Sequence, residues 1–241
     1  APVVALGNRP ARIDVALHRS AGSEQTMLVI GIDDRSLAPD GTTDFGELDA
    51  ETGARADIIV ALRSGPDGVK AATITRDLFV EHSPQQYDRL ATEWLRGPQA
   101  FVDSLCRTLH MSIDHVVVVN LKGFAGLVDR VGGVEVTVPQ PLRDQFAHIE
   151  LEAGPHLLDG RTALGYVRSR KGEILSNGKW IPDPEGASGR QRRSAEVFRS
   201  VAAKLPKNPI TLYQLAWDTL PDVTVDKNTR VLDLLAFRDL P

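Results

Sequence analysis

The chain holds a single cysteine, Cys106, in 241 residues, so no disulfide can form within it and a cystine-stapled scaffold is excluded. It also lacks any run of about 18 apolar residues, the length a helix needs to cross a bilayer. Aromatic residues make up only 5% of the chain. The tryptophans, Trp94, Trp180 and Trp217, do not interleave with basic residues as a base-stacking surface would. A basic excess is missing too. With a net charge of −4 and a pI near 5.9, a protein wrapped on nucleic acid is disfavoured. There is no P-loop, HExxH or GxSxG pattern. His18, His82, His110, His115, His148 and His156 show no metal-ligand spacing.

What is present is an alternation of strands and helices. No repeat, linker or low-complexity tract divides it, which favours one domain over residues 27–241 after an N-terminal arm or edge segment at residues 1–26. MLVIGIDDRS, Met27–Ser36, reads as a buried strand running into the polar cluster Asp33, Asp34 and Arg35, where α/β proteins tend to hold ligands. Leu37–Ala54 reads as a long loop. Asp57–Arg63 and Val69–Thr75 flank a Gly-Pro-Asp-Gly turn and predict a hairpin, which brings Arg55, Asp57, Arg76 and Asp77 to one edge. Tyr87–His110 reads as a helix. Its stripe Phe101, Val102, Leu105 and Leu109 carries Cys106, which makes the thiol structural. HVVVVN is a buried strand, LKGFAGLVDRVGG a helix stopped by glycines, and VEVTVP a further strand. Short helices at Thr211–Trp217 and Asn228–Asp239 surround a strand at Asp222–Val225. The fold class expected is α/β, a three-layer α/β/α arrangement with a central mixed β-sheet.

The most informative stretch is Leu158–Val201. Asp159 is placed to cap a short helix, followed by an extended segment from Tyr166 to Arg170 in which Arg168 and Arg170 share a face. From Gly189 a second helix presents Arg190, Arg193 and Ser194 on the same side as Val197, Phe198, Val201 and Leu205. Arg192, Glu196 and Arg199 fall on another face, where they can pair as a solvated surface. Arginines on a core-facing stripe near a helix start, where amide groups already supply positive potential, cost stability unless an anion lies among them. Salt bridges to acidic neighbours are the alternative. Four arginines on two adjacent elements favour an anion site, with planar bidentate recognition of phosphate. Asp33 and Asp57 beside Arg55 and Arg76 add carboxylates for Mg²⁺, and the set matches what phosphoryl transfer demands. Capping or ion pairing by those acids is the competing reading.

The succession GIDDR, RADIIV, TITRD, VNLKGFAGLVDRVGGVEVTVP, LLDGRTALGYVRSR and GRQRR resembles the LytR–CpsA–Psr family of cell-envelope proteins over Met27–Val201. The resemblance implies an α/β/α domain outside the cell, held by an N-terminal membrane anchor that precedes this chain. It implies transfer of a cell-wall glycopolymer from a polyprenyl-pyrophosphate carrier onto a peptidoglycan acceptor, with Mg²⁺ as cofactor. By motif position Asp33 and Asp57 match the metal-site acids, and Arg55, Arg76, Arg168, Arg170 and Arg190 match the pyrophosphate-binding arginines. Arg193 and Ser194 complete the expected substrate set, and Asp33, Asp57 and Arg76 the catalytic one, with Asp33 or Asp34 as candidate base. Two positions depart from the pattern: Ser194 stands where the family has glutamine, and Ala187 where it has an acid. A prenyl-phosphate or wall-glycan binding scaffold and a pyrophosphatase are therefore the alternatives. The Ala-, Arg- and Val-rich composition suggests an actinobacterium and, with it, arabinogalactan.

Overall fold

A computed structural model of the chain describes residues 10–32, 56–219 and 222–237. Strands β1 (Ala11–Ile13), β2 (Gln25–Ile32), β3 (Ala56–Gly65), β4 (Gly68–Ile74), β5 (Phe79–Ser83) and β6 (Gln86–Arg89) lead into helix α1 (Leu90–Glu93) and helix α2 (Pro98–Leu109). Strand β7 (His115–Val119) is followed by α3 (Leu121–Arg130), then by β8 (Val134–Val138), β9 (Leu142–Asp144), β10 (Ile149–Leu151) and β11 (Gly154–Leu158). The chain continues through α4 (Gly160–Arg168), β12 (Glu173–Ser176), β13 (Lys179–Pro182), α5 (Gly186–Lys204), α6 (Pro209–Thr219), β14 (Val223–Asp226) and α7 (Val231–Leu234). The described residues form two compact units, one of residues 10–32, 56–123, 206–219 and 222–237, the other of residues 124–205.

The first unit is built on a six-stranded sheet in the order β1-β14-β7-β2-β3-β4. The β1–β14 and β2–β7 pairs are parallel and the rest antiparallel, so the protein has the central mixed sheet and the α/β class expected. The near-continuous apolar runs of β2 and β7 are explained by burial on both faces, with Leu28, Ile30 and Val116 fully buried. α2 lays Phe101, Val102 and Leu105 into the same core. At the sheet edge the Arg12 guanidinium donates to the carbonyls of Asp226 and Thr229 at 2.9 and 2.6 Å. The Asp226 carboxylate in turn accepts from the Val116 amide at 2.9 Å. One expectation fails here. Tyr87–His110 is not one helix: residues through Arg89 pair with β5, and Gly97, at φ 108°, breaks the helical path before Pro98 opens α2. Proline tolerates the first helical turn, and a positive φ cannot continue the preceding one. Of the helix expected at Asn228–Asp239, the described residues form α7 and a 3-10 turn at Leu235–Phe237, and residues 238–239 lie outside the described residues.

The second unit holds a four-stranded sheet, β10-β9-β12-β13, and a two-stranded antiparallel sheet of β8 and β11. α5 covers the open edge of β8: Ser200 Oγ and the Glu196 carboxylate accept from the Glu135 and Thr137 amides, each at 2.8 Å. That satisfies donors that an edge strand leaves unpaired. Arg192 pairs with Glu185 at 2.9 Å and also feels the charge of Glu196. Asp159 caps α4 as expected, its carboxylate accepting from the Thr162 amide. Asp129 accepts from the Gly160 amide at 2.7 Å. A Cβ at Gly160 would lie 2.1 Å from the Ala125 carbonyl oxygen, so only glycine permits this approach of α4 to α3.

Candidate functional site

In the first unit the chemistry gathers at one end of the sheet. β2 and β7 are parallel neighbours, so their C-terminal ends lie together, beside the start of β3 and the end of β4. Asp57 is the second residue of β3 and Arg76 follows β4 by two, and the pair meets as the hairpin register predicts: Arg76 Nη1 donates to Asp57 Oδ1. Both side chains are about four-fifths buried, at 21% and 20% exposure. Arg76 Nε is buried with no partner. Asp33, Asp34 and Arg55 lie outside the described residues. Among the described residues no three His, Cys, Asp or Glu side chains converge as a metal site, and Asp57 is the metal-site candidate that the structure describes.

The second unit carries the other arginines. The segment from Tyr166 to Arg170 is not extended: α4 continues through Arg168, Ser169 is its C-cap at φ −53° and ψ 116°, and Arg170 comes next. The helix begun at Gly160 carries on through Tyr166 and Val167, which are buried with Ala163, Leu164 and Gly165, while Arg161 stays exposed. Arg168 is half-buried and Arg170 exposed. α5 also begins earlier than expected, at Gly186, which puts Arg190 and Arg193 in its second turn, away from the orphan amides at its start. Arg190 and Ser194 are half-buried on this helix, and Ala187 lies in its first turn.

Arg193 is 2% exposed. Its Nη1 donates to Asp183 Oδ2 at 3.1 Å and its Nη2 to the Ser169 carbonyl at 2.9 Å, while its guanidinium lies 5.8 Å from the Tyr166 ring centre. Gly189 leaves room for it: a Cβ there would stand 3.1 Å from Arg193 Nη1. Burial first, and then the charge of Glu196, push the Tyr166 hydroxyl up to about 12. It stays protonated and donates to Glu196 at 3.2 Å. Arg193 fastens the second turn of α5 to the turn after α4, so the two elements bearing Arg168, Arg170 and Arg190 are joined at Ser169. Ser169, Asp144 and Asp183 escaped the sequence reading.

The LytR_cpsA_psr family model matches residues 7–239. The chain belongs to the LytR–CpsA–Psr family. It is 31% identical over 146 residues to the "Probable cell wall biosynthesis protein LcpB" of Corynebacterium glutamicum, covering 59% of this chain and 35% of that one. It is 29% identical over 155 residues to the polyisoprenyl-teichoic acid–peptidoglycan teichoic acid transferase TagT of Bacillus subtilis, covering 61% and 46%. The chain thus spans less than half the length of these two curated relatives. The solved LytR-Csp2A-Psr enzyme from Actinomyces oris superposes with a TM-score of 0.80 at 34% identity, over 95% of this chain and 80% of that one. Within this LytR–CpsA–Psr chain, Arg168 ends α4 and Arg190 lies on α5, while the Asp57–Arg76 pair joins the open end of the β3–β4 hairpin.

Proposed function

We propose that this chain is the domain of an extracytoplasmic, membrane-anchored phosphotransferase that moves a cell-wall glycopolymer from a polyprenyl-pyrophosphate carrier onto peptidoglycan. The carrying observation is the fastening of α5 to the α4 C-terminus through Arg193 and Ser169, which holds Arg168, Arg170 and Arg190 on two joined elements. Family membership and the names of the relatives support the same reading. The chemistry follows from charge. An acceptor hydroxyl attacks the phosphorus attached to the glycan, a P–O bond forms, and the bond to the polyprenyl phosphate breaks. Arg168, Arg170 and Arg190 of the second unit neutralise the oxygens on which negative charge accumulates, which is the main task in phosphoryl transfer; Arg76 and Arg55 are proposed for the same task in the first unit. Asp33 or Asp34 is the proposed base for the acceptor proton.

Asp57 has the donor chemistry for Mg²⁺, a carboxylate at the start of β3, and Asp33 is the second acid proposed. A carboxylate or two with substrate oxygens and water is an ordinary Mg²⁺ set, and the ion would supply charge neutralisation at the pyrophosphate. Arg76, by holding Asp57 Oδ1, orients that carboxylate.

The test is turnover of a polyprenyl-pyrophosphate glycan, with arabinogalactan and teichoic acid donors compared, with and without Mg²⁺. Metal-dependent transfer is expected, lost in Asp57→Ala and reduced roughly 10²- to 10³-fold in Arg168→Ala. Ser194 and Ala187 support a second reading, a binding scaffold: carrier binding without turnover, with turnover gained in the Ala187→Asp/Ser194→Gln variant, would establish it instead. Phosphate release without glycan transfer would mark a pyrophosphatase.

A further inference from the structure

Ser169, the residue between Arg168 and Arg170, has no exposed surface, and each of its hydrogen-bonding groups is engaged. Its amide donates to the Gly165 carbonyl at 2.9 Å, closing the last turn of α4. Its hydroxyl donates to Asp144 Oδ2 at 2.8 Å. Its carbonyl accepts from Arg193 Nη2 at 2.9 Å. Asp144 is itself 2% exposed. Its Oδ1 accepts from the Phe146 and Ala147 amides at 2.9 and 3.1 Å, and its Oδ2 also takes the Lys171 amide at 3.1 Å. On the other side, Asp183 accepts from Arg193 at 3.1 Å, and its own amide donates to the Gly172 carbonyl at 2.8 Å. The space is filled as well, since a Cβ at Gly172 would come within 2.9 Å of Ser169 Oγ.

A chain leaving a helix C-terminus ordinarily has several backbone conformations open to it, and two long arginines on either side of such a hinge would lose their mutual geometry. Here the hinge residue is bolted at three points to β9, to α5 and to its own helix. We infer that Ser169, Asp144 and Arg193 are positioning residues for the phosphate-binding arginines, fixing the spacing of Arg168 and Arg170 so that both meet one pyrophosphate. The inference rests on the arginine reading proposed above. It assigns Arg193 to holding the site together, since its guanidinium is committed to Asp183 and Ser169. Buried polar networks of this kind rigidify what they touch, and their members act through their neighbours.

The experiment is titration of the folded protein with inorganic pyrophosphate, by calorimetry, for wild type, Ser169→Ala, Asp144→Asn, the Arg168→Ala/Arg170→Ala pair, and that pair combined with Ser169→Ala. Ser169→Ala is expected to weaken binding roughly tenfold, with no further loss when added to the double arginine variant, because coupled residues do not add. Asp144→Asn, which sets an amide NH₂ group among N–H donors, should act in the same direction. The inference is overturned if Ser169→Ala leaves affinity unchanged while the arginine pair lowers it. It is equally overturned if Ser169→Ala costs the same factor in both backgrounds, which is what a general loosening of the fold would do. If the arginine pair has no effect, the phosphate reading itself fails, and that result is distinct from the other two. Asp144→Asn is the riskier variant to fold, and Ser169→Ala alone suffices for the decision.

Discussion

Cys106 shows what burial does to a single group. It is partly covered against the core beneath α2, and desolvation, followed by the charge of Asp103, raises its thiol to about 11. The thiolate is the reactive form, so at pH 8 modification by a disulfide reagent should run about a hundredfold slower than for free cysteine, whose pKa is about 8.5. A rate equal to that of free cysteine would show the helix face to be open. Tyr166 behaves in parallel. Its folded pKa lies above the ordinary phenol value, so the neutral form is the one the fold stabilises. That contribution is intact below about pH 10 and lost as pH rises toward about 12. In an ultraviolet titration of tyrosinate, Tyr166→Phe should remove the last step; if the last step remains, the ring is less enclosed than the structure shows.

Elements differ in how openly the sequence announced them. β2 and β7 were legible because strands buried on both faces read as unbroken apolar runs, and the β3–β4 hairpin because Gly-Pro-Asp-Gly permits few other paths. The β12–β13 hairpin was missed although Asn177 and Gly178, at φ 49° and 75°, form the turn that most strongly marks a hairpin. The helical path through Tyr166 and Val167 was not legible, since Tyr-Val is a β-favouring pair followed by alternating arginines, and packing of α4 against β10 and α5 decided it. Close approach of backbones is equally silent in sequence until a glycine is tested. Gly160→Ala should destabilise the protein by about 1–3 kcal/mol, the usual cost of overpacking. A melting temperature equal to wild type would mean that α3 and α4 can part without loss.

At the scale of the molecule, the proposed arginine site is a local positive feature of a chain of net charge −4, and the conflict between charge and core pattern is what marks it in the sequence. The residues that hold it were invisible because they are scattered: Asp144 and Ser169 are 25 positions apart, Asp144 stands in no recognisable motif, and Ser169 is overshadowed by the two arginines that flank it. An anion site of this kind is sensitive to screening. Pyrophosphate affinity should fall several-fold between low and physiological ionic strength, measured by titration at the two salt levels, and an unchanged affinity would argue that binding does not run through the exposed Arg170.

The edge pairing of β1 with β14 has a bearing on how the chain is made. Ala11 stands opposite Thr224, and β14 is also what covers the outer side of β7. During synthesis, therefore, β2, β3, β4 and β7 can assemble as soon as residue 119 has left the ribosome, but the flank of β7 stays bare and β1 has nothing to join until more than a hundred further residues emerge. Pairings so distant in sequence form slowly, and a bare strand flank invites association with other chains. A nascent or truncated chain ending before β14 should therefore depend on chaperones in a way that the finished protein does not.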